Sequence, residues 1–217
     1  MFKQLTFVFA TLALSAIASA QIQDDAYQIG YAANLNIGDS VVNISNDGAS
    51  GGFYPNTLGV GNTCVNVYTF DPAEEMVSCC ACLVTPNALV SLSAKNDLIN
   101  NVLTPAIPTS IVVKLFATVP GTTSAGAYTV CNPSLPNGFS VKSPSGMLAW
   151  GTTLEPSATP GTYGPVNVPF INSSFLEFGP GFENTELYSI CGILQAEGSG
   201  YGQCGSCALG ALSGTKQ

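Results

Sequence analysis

The chain has 217 residues, 46% of them hydrophobic and 8% charged, with a formal net charge of −8 at pH 7. That balance separates it from disordered chains, and the absence of arginine beside a handful of lysines argues against nucleic acid and anionic membrane surfaces as partners, since both are bound through clustered basic groups. The absence of histidine removes the commonest general base and the commonest metal ligand together, so Ser-His-Asp and Cys-His nucleophiles, an HExxH zinc site and a CxxCH haem attachment are excluded, and carboxylate chemistry survives.

From the N-terminus, Lys3, the mostly apolar run Leu5 to Leu14 and Ala18-Ser19-Ala20 have the order of a cleavable secretory signal peptide over residues 1–20. Thr6, Thr11 and Ser15 interrupt the run, which is too short for a membrane span. No cysteine follows the cleavage site closely enough to carry a lipid, and the C-terminus is no hydrophobic tail, so no membrane anchor is expected. Residues 21–217 are expected to form a single β-rich domain that is secreted, extracellular, or periplasmic in a host with two membranes.

Residues Gln21 to Ile37 mix Ile22, Tyr27, Ile29, Tyr31, Leu35 and Ile37 with polar residues, largely at odd positions, and predict a strand of their own. The plainer arrangement pairs it within its own sheet. The alternative is that it completes the exposed sheet edge of a neighbouring copy, and repetition of that contact would build an open filament.

Further strands are predicted over Ser40 to Ile44, Thr63 to Phe70, Met76 to Val84, Ala88 to Ala94, Ser110 to Val119, Ala127 to Cys131, Met147 to Leu154 and Asn167 to Asn172. They are rich in β-branched residues and punctuated by Gly, Pro and Asn. Along Met76 to Val84 a period of two sets Met76, Ser78, Cys80, Cys82 and Val84 against Val77, Cys79, Ala81 and Leu83, so Cys79 and Cys80 bond in opposite directions and both faces read as buried. Thr85-Pro86-Asn87 predicts a hairpin return into Ala88 to Ala94. The face Ile111, Val113, Leu115, Ala117 and Val119 marks a central strand, and Pro156 to Pro165 reads as a long surface loop. One helix is predicted at about 184–197, with Leu187, Ile190, Cys191 and Leu194 on its buried face and Asn184 or Thr185 as cap. The fold class that follows is an all-β, disulfide-tied sandwich with one short C-terminal helix.

The eight cysteines Cys64, Cys79, Cys80, Cys82, Cys131, Cys191, Cys204 and Cys207 are an even set in a chain read as exported, which favours disulfides over zinc thiolates or a redox CxxC at Cys204 and Cys207. Cys79, Cys80 and Cys82 lie too close together to bond each other easily. Each is therefore expected to reach one of the other five, leaving two to pair. The block TCVNVYTFDPAEEMVSCCACLVTPNALVSLSAKNDL from Thr63 to Leu98, with GSGYGQCGSC from Gly198 to Cys207, resembles an uncharacterised family of secreted bacterial proteins. The resemblance implies export and a shared fold and brings no functional residue with it.

Three candidate sites can be drawn. Asp71, Glu74 and Glu75, with Glu177, Glu183 and Glu186, offer paired carboxylates for a glycoside hydrolase, although a solvated turn and the first turn of a helix account for most of them. Asn43, Ser45, Asp47 and Gly48 follow the opening of an EF-hand loop, but Tyr54 stands where the bidentate Glu belongs. Tyr54, Tyr163 and Tyr201, with Phe53 and Phe139, sit beside glycine or proline and are possible contacts for an extracellular glycan. Asn43 and Asn172 open glycosylation sequons. No cofactor is expected. The reading that follows is a non-enzymatic structural or adhesive extracellular protein, with a carbohydrate-binding module and a carboxylate-dependent hydrolase as alternatives.

Overall fold

The computed structural model describes residues 25–49, 61–99, 106–134, 144–173, 183–196 and 204–207. Its strands are β1 (Tyr27–Ala32), β2 (Val41–Asn46), β3 (Thr63–Phe70), β4 (Met76–Val84), β5 (Leu89–Ser93), β6 (Ile111–Thr118), β7 (Gly121–Thr122), β8 (Tyr128–Val130), β9 (Met147–Pro156), β10 (Tyr163–Pro169) and β11 (Ile171–Asn172). Helix α1 spans Glu183–Ala196, and a π-helical turn covers Ala94–Leu98. The expected all-β class, the disulfide ties and the C-terminal helix are all present.

Two antiparallel sheets form the sandwich, a five-stranded one in the order β11-β1-β6-β3-β4 and a four-stranded one in the order β10-β9-β2-β5, with β7 and β8 as a separate ribbon. Strand β6 is the middle strand of its sheet, as the apolar face from Ile111 to Val119 predicted. Val65, Val67, Val113 and Leu115 from the larger sheet and Val42, Ile44, Val90 and Leu92 from the smaller one share a single core. A second cluster lies on the far side of the larger sheet, where Tyr27, Tyr68, Cys79 and Phe116 meet Leu187, Tyr188 and Cys191 of α1. The larger sheet is thus covered on both faces, and the molecule has three layers.

Strand β4 shows why. All nine of its residues are buried, and its cysteines bond both ways. Cys79 points out to Cys191 of α1, whereas Cys80 and Cys82 point into the inter-sheet core and hold Cys204 and Cys207. Cys64 pairs with Cys131, and no cysteine is free. A β-bulge opposite Thr69/Phe70 breaks the period of two at the start of β4, so Met76 joins the helix-side cluster and not the face of Cys80 and Cys82.

Four local expectations are corrected. The link Thr85-Pro86-Asn87 is no hairpin: β4 and β5 belong to different sheets, and the link, with Asn87 at φ 64, carries the chain across the corner between them. The long loop expected over Pro156 to Pro165 is shorter, because β9 runs to Pro156 and pairs with β10 from Tyr163. An edge strand such as β10 tolerates the missing N–H groups of Pro165 and Pro169. The strand expected over Asn167 to Asn172 is split at Phe170, where the chain leaves the smaller sheet for the larger. The buried face of α1 is Asn184, Leu187, Tyr188 and Cys191; Ile190 is 41% exposed, and Asn184 lies inside the helix and does not cap it.

Strand β1 is hydrogen-bonded on both sides within its own chain, to β6 and to β11. Donation of this strand to a neighbouring copy would require breaking the larger sheet. Side-chain amides and hydroxyls tie the two sheets together where backbone bonding cannot. Gln28 Nε2 donates to Met147 O at 2.7 Å, Asn46 Nδ2 donates to Val84 O at 2.9 Å and Gly61 O at 2.7 Å, and Thr153 Oγ1 donates to Ala33 O at 3.0 Å.

Gly30 explains how Phe170 enters the core. A Cβ at Gly30 would stand 2.1 Å from the Phe170 ring, so the ring lies where any other residue at this position would put its side chain. Gly30→Ala is expected to destabilise the fold by about 1–3 kcal/mol through overpacking, with much of the loss recovered in the Gly30→Ala/Phe170→Leu double variant. Urea unfolding of the four members of that cycle is the measurement.

Candidate functional site

Two surface features gather groups capable of chemistry or binding. The first is a cleft of about 570 Å³ between the β3–β4 turn and the N-terminal half of α1. Asp71 and Glu74 come to it from the turn, Glu183 and Glu186 from the helix, and Lys114 from β6, over walls of Phe70, Val112, Leu187 and Ile190. Folding therefore brings together acids that lie more than a hundred residues apart in the chain.

Two of these four acids, Asp71 and Glu183, already have structural work. Asp71 Oδ1 accepts the N–H groups of Ala73 and Glu75 at 2.9 and 3.0 Å, which closes the turn. Glu183 forms an ion pair with Lys114, whose ammonium lies 5.3 Å from the centre of the Phe70 ring, and Glu183 Oε1 also accepts the Tyr27 hydroxyl at 3.1 Å. That pair docks the first turn of α1 on the sheet. Glu75 does not line the cleft, and Glu177 lies outside the described residues. Among the sequence-proposed acids, Glu74 and Glu186 are those the cleft leaves without such a role. Among the described residues no group of acidic or cysteine side chains has the arrangement of a metal site.

Glu74 has φ 67, a left-handed conformation that costs a side-chain-bearing residue about 1–2 kcal/mol. Glu74→Gly is accordingly expected to raise stability by about 1 kcal/mol, read as a higher urea midpoint at unchanged slope.

The second feature is the outer face of the four-stranded sheet. Its cross-strand register sets Ser91, Asn43, Trp150 and Pro169 in one row, Ser93, Val41, Thr152 and Asn167 in the next, and Leu89, Ser45 and Leu148 in a third. Hydrogen bonds run across the four strands: Ser91 Oγ donates to Asn43 Oδ1 at 2.8 Å, Asn43 Nδ2 to Thr152 Oγ1 at 3.3 Å, and Thr152 Oγ1 to Asn167 Oδ1 at 2.7 Å. Half-buried Trp150, the chain's one tryptophan, stands beside this polar chain, and Leu148 and Leu89 are 52% and 51% exposed. None of the residues in these rows is charged.

The sequence candidates distribute unevenly over this geometry. Tyr163 opens edge strand β10 and is 40% exposed, while Tyr54, Tyr201, Phe53 and Phe139 lie outside the described residues. The EF-hand-like spacing fails on local structure, because Asn43 and Ser45 are extended in β2, where no ligand loop can close, and Asp47 Oδ1 accepts the Ala49 N–H at 2.7 Å. Both amide atoms of Asn43 are engaged, so the side chain of the first sequon is held in the sheet. Trp150 falls within the strand predicted over Met147 to Leu154 and so outside the set of loop aromatics. The available signal was the chain's lone tryptophan at an outward position of a predicted strand, alternating with buried Ala149 and Gly151.

No family model, curated protein or solved structure matches the chain.

Burial raises the Tyr68 and Tyr188 hydroxyls well above the ordinary tyrosine range, and Tyr27 is raised first by burial and then by the charge and hydrogen bond of Glu183. Since the folded state holds these protons more tightly than the unfolded chain, the resulting stabilisation is complete below the unfolded value near pH 10 and is lost as pH climbs toward the folded values. Absorbance titration of tyrosinate at about pH 11 should show these three un-ionised in the native protein, with the urea midpoint falling from about pH 10 upward.

Proposed function

We propose that the protein is a non-enzymatic extracellular adhesion domain that holds neutral polysaccharide on the outer face of its four-stranded sheet. The observation that carries this reading is the uncharged platform itself: an aromatic ring beside a chain of hydroxyls and amides that crosses all four strands. Sugars present apolar C–H faces and hydroxyl edges, so a site for them combines an amphipathic ring with neutral donors and acceptors. None of the residues in the three rows is charged, the exposed Asp39 carboxylate accepting the Ser93 hydroxyl at their margin, and this favours a neutral ligand over a phosphorylated one. The proposed glycan contact is thus Trp150, Thr152 and Asn167; of the tyrosines the sequence offered, Tyr163 opens β10 of this same sheet, and Tyr54 and Tyr201 lie outside the described residues.

Durability suits the same role. Each of the four disulfides contributes about 2–4 kcal/mol, and such bonds persist in the oxidising compartments outside the cytoplasm. Among the described residues no helix is long and apolar enough to cross a membrane.

Because Trp150 is the single tryptophan, its fluorescence reports on this face alone. Titration with soluble neutral polysaccharides is expected to shift that emission, and Trp150→Ala is expected to weaken co-sedimentation with insoluble polysaccharide by about tenfold or more while leaving the urea midpoint nearly unchanged. Equal retention of wild type and Trp150→Ala on every polysaccharide that binds would place the site elsewhere.

A further inference from the structure

The disulfide connectivity carries an inference about how the protein reaches its native state. Cys64 is followed in the chain by Cys79, Cys80 and Cys82, yet its native partner is Cys131, beyond all three. The other native bonds are Cys79–Cys191, Cys80–Cys204 and Cys82–Cys207, closing loops of 112, 124 and 125 residues. None of the four native bonds joins cysteines that are neighbours in sequence. Bonds from Cys64 to Cys79, Cys80 or Cys82 would close loops roughly four times shorter than the 67-residue loop of Cys64–Cys131, and closure becomes about threefold less probable with each doubling of loop length. Random oxidation therefore favours wrong pairs. If the chain emerges N-terminus first from an export channel, as the reading above supposes, the bias grows, because Cys131 arrives after the three competitors.

Those wrong pairs cannot be carried into the fold. Cys64 lies opposite Leu83 in the β3–β4 ladder and Cys79 lies opposite Tyr68, so the two cysteines share a sheet face but stand four residues apart along it, about 13 Å. A disulfide spans at most about 7 Å between Cα atoms. Cys82 lies opposite Val65, next to Cys64, but its side chain points into the inter-sheet core while that of Cys64 points to the other face; Cys80 has the same wrong orientation and is farther along the strand. Each of these bonds is incompatible with the paired hairpin, and the hairpin contributes one strand to the sheet interior and its fully buried edge.

We infer that the protein depends on a thiol–disulfide isomerase, a partner that breaks Cys64 away from the Cys79-Cys80-Cys82 cluster so that β3 and β4 can pair. The exchange is redox-neutral. A thiolate of the isomerase attacks the wrong bond and forms a mixed disulfide with one cysteine, releasing the other as thiolate; a native partner's thiolate then attacks the sulfur held in the mixed disulfide, forms the native bond and returns the isomerase thiolate. Net oxidation, two electrons and two protons per bond, is supplied by a dithiol oxidase whose own disulfide is reduced.

The test oxidises the reduced, unfolded full chain with such an oxidase, alone and together with a disulfide isomerase, and maps the bonds by proteolysis and mass spectrometry. No export step is involved, so the result stands apart from the export and glycan readings. With oxidase alone, most chains are expected to lack free thiols yet carry Cys64 bonded to Cys79, Cys80 or Cys82; with isomerase, the yield of the four native bonds should rise about fivefold or more. Equal native yields in the two arms would overturn the inference. The Cys64→Ser/Cys131→Ser variant, which removes the misplaced partner, is expected to form its three remaining bonds with a much smaller isomerase effect. An undiminished effect would overturn the role assigned to Cys64, and the wild-type comparison decides the inference should that variant fail to fold.

Discussion

Strand β4 is an edge strand without a solvent face, and the architecture depends on that constraint. An edge ordinarily presents unpaired backbone groups and one wetted side. Here both sides carry cysteines, so each needs a covering element within disulfide reach. Helix α1 covers the outer side through Cys79–Cys191, and the Cys204–Cys207 segment fills the inner side through two bonds. The inner clasp is tight. Gly205 donates its N–H to Asp97 O at 2.8 Å, and a Cβ there would stand 2.6 Å from the Asn96 carbonyl oxygen, so only glycine lets the segment lie against the π-helical turn. The same turn accepts the Ser78 hydroxyl of β4 at Leu98 O. Residues far apart in the chain are thus brought onto one strand.

The covalent ties and the proposed binding platform belong to different sheets. Every disulfide has an end on β3 or β4, in the larger sheet, and none touches β2, β5, β9 or β10. The smaller sheet is held by the shared core and by the buried donors Gln28, Asn46 and Thr153. Such donors are demanding, because removing a partner from a buried polar group costs about 1–3 kcal/mol. They also fix the alignment of the two sheets in a way apolar contact alone does not.

Much of the fold was legible in the sequence wherever a single period controlled burial. The bounds of β3 and β4, the central place of β6 and the opposite directions of Cys79 and Cys80 follow from alternation of side chains. What could not be read depended on tertiary choice. Thr85-Pro86-Asn87 has hairpin chemistry, but β5 pairs with β2 in the smaller sheet and not with β4, so the turn crosses between sheets. The β-bulge that moves Met76 leaves no mark in the alternation of MVSCCACLV. On α1, Ile190 fits the apolar period, but Tyr188 takes the buried position because its ring packs 6.2 Å from those of Tyr68 and Phe116. The acids of the cleft were visible as residue types; their convergence was not, since Asp71 and Glu183 meet only after the helix docks.

The platform was hidden for a related reason. Exposed aromatics are expected in loops because strands bury their large rings, and in a three-layer fold that holds for the sheet in the middle. The smaller sheet is an outer layer, so alternate residues of its strands turn away from the core, and a tryptophan among them lies over polar neighbours. Its row partners come from β5, β2 and β10, segments spread from Leu89 back to Val41 and on to Pro169. No local window contains them. Once the register is known, Ser91, Asn43, Thr152 and Asn167 become one hydrogen-bonded line beside the Trp150 ring, and the absence of charge from the line turns from a matter of composition into a property of one surface. The larger sheet gives up both of its faces to covering layers, whereas on the outer face of the smaller sheet Leu148 and Leu89 remain exposed.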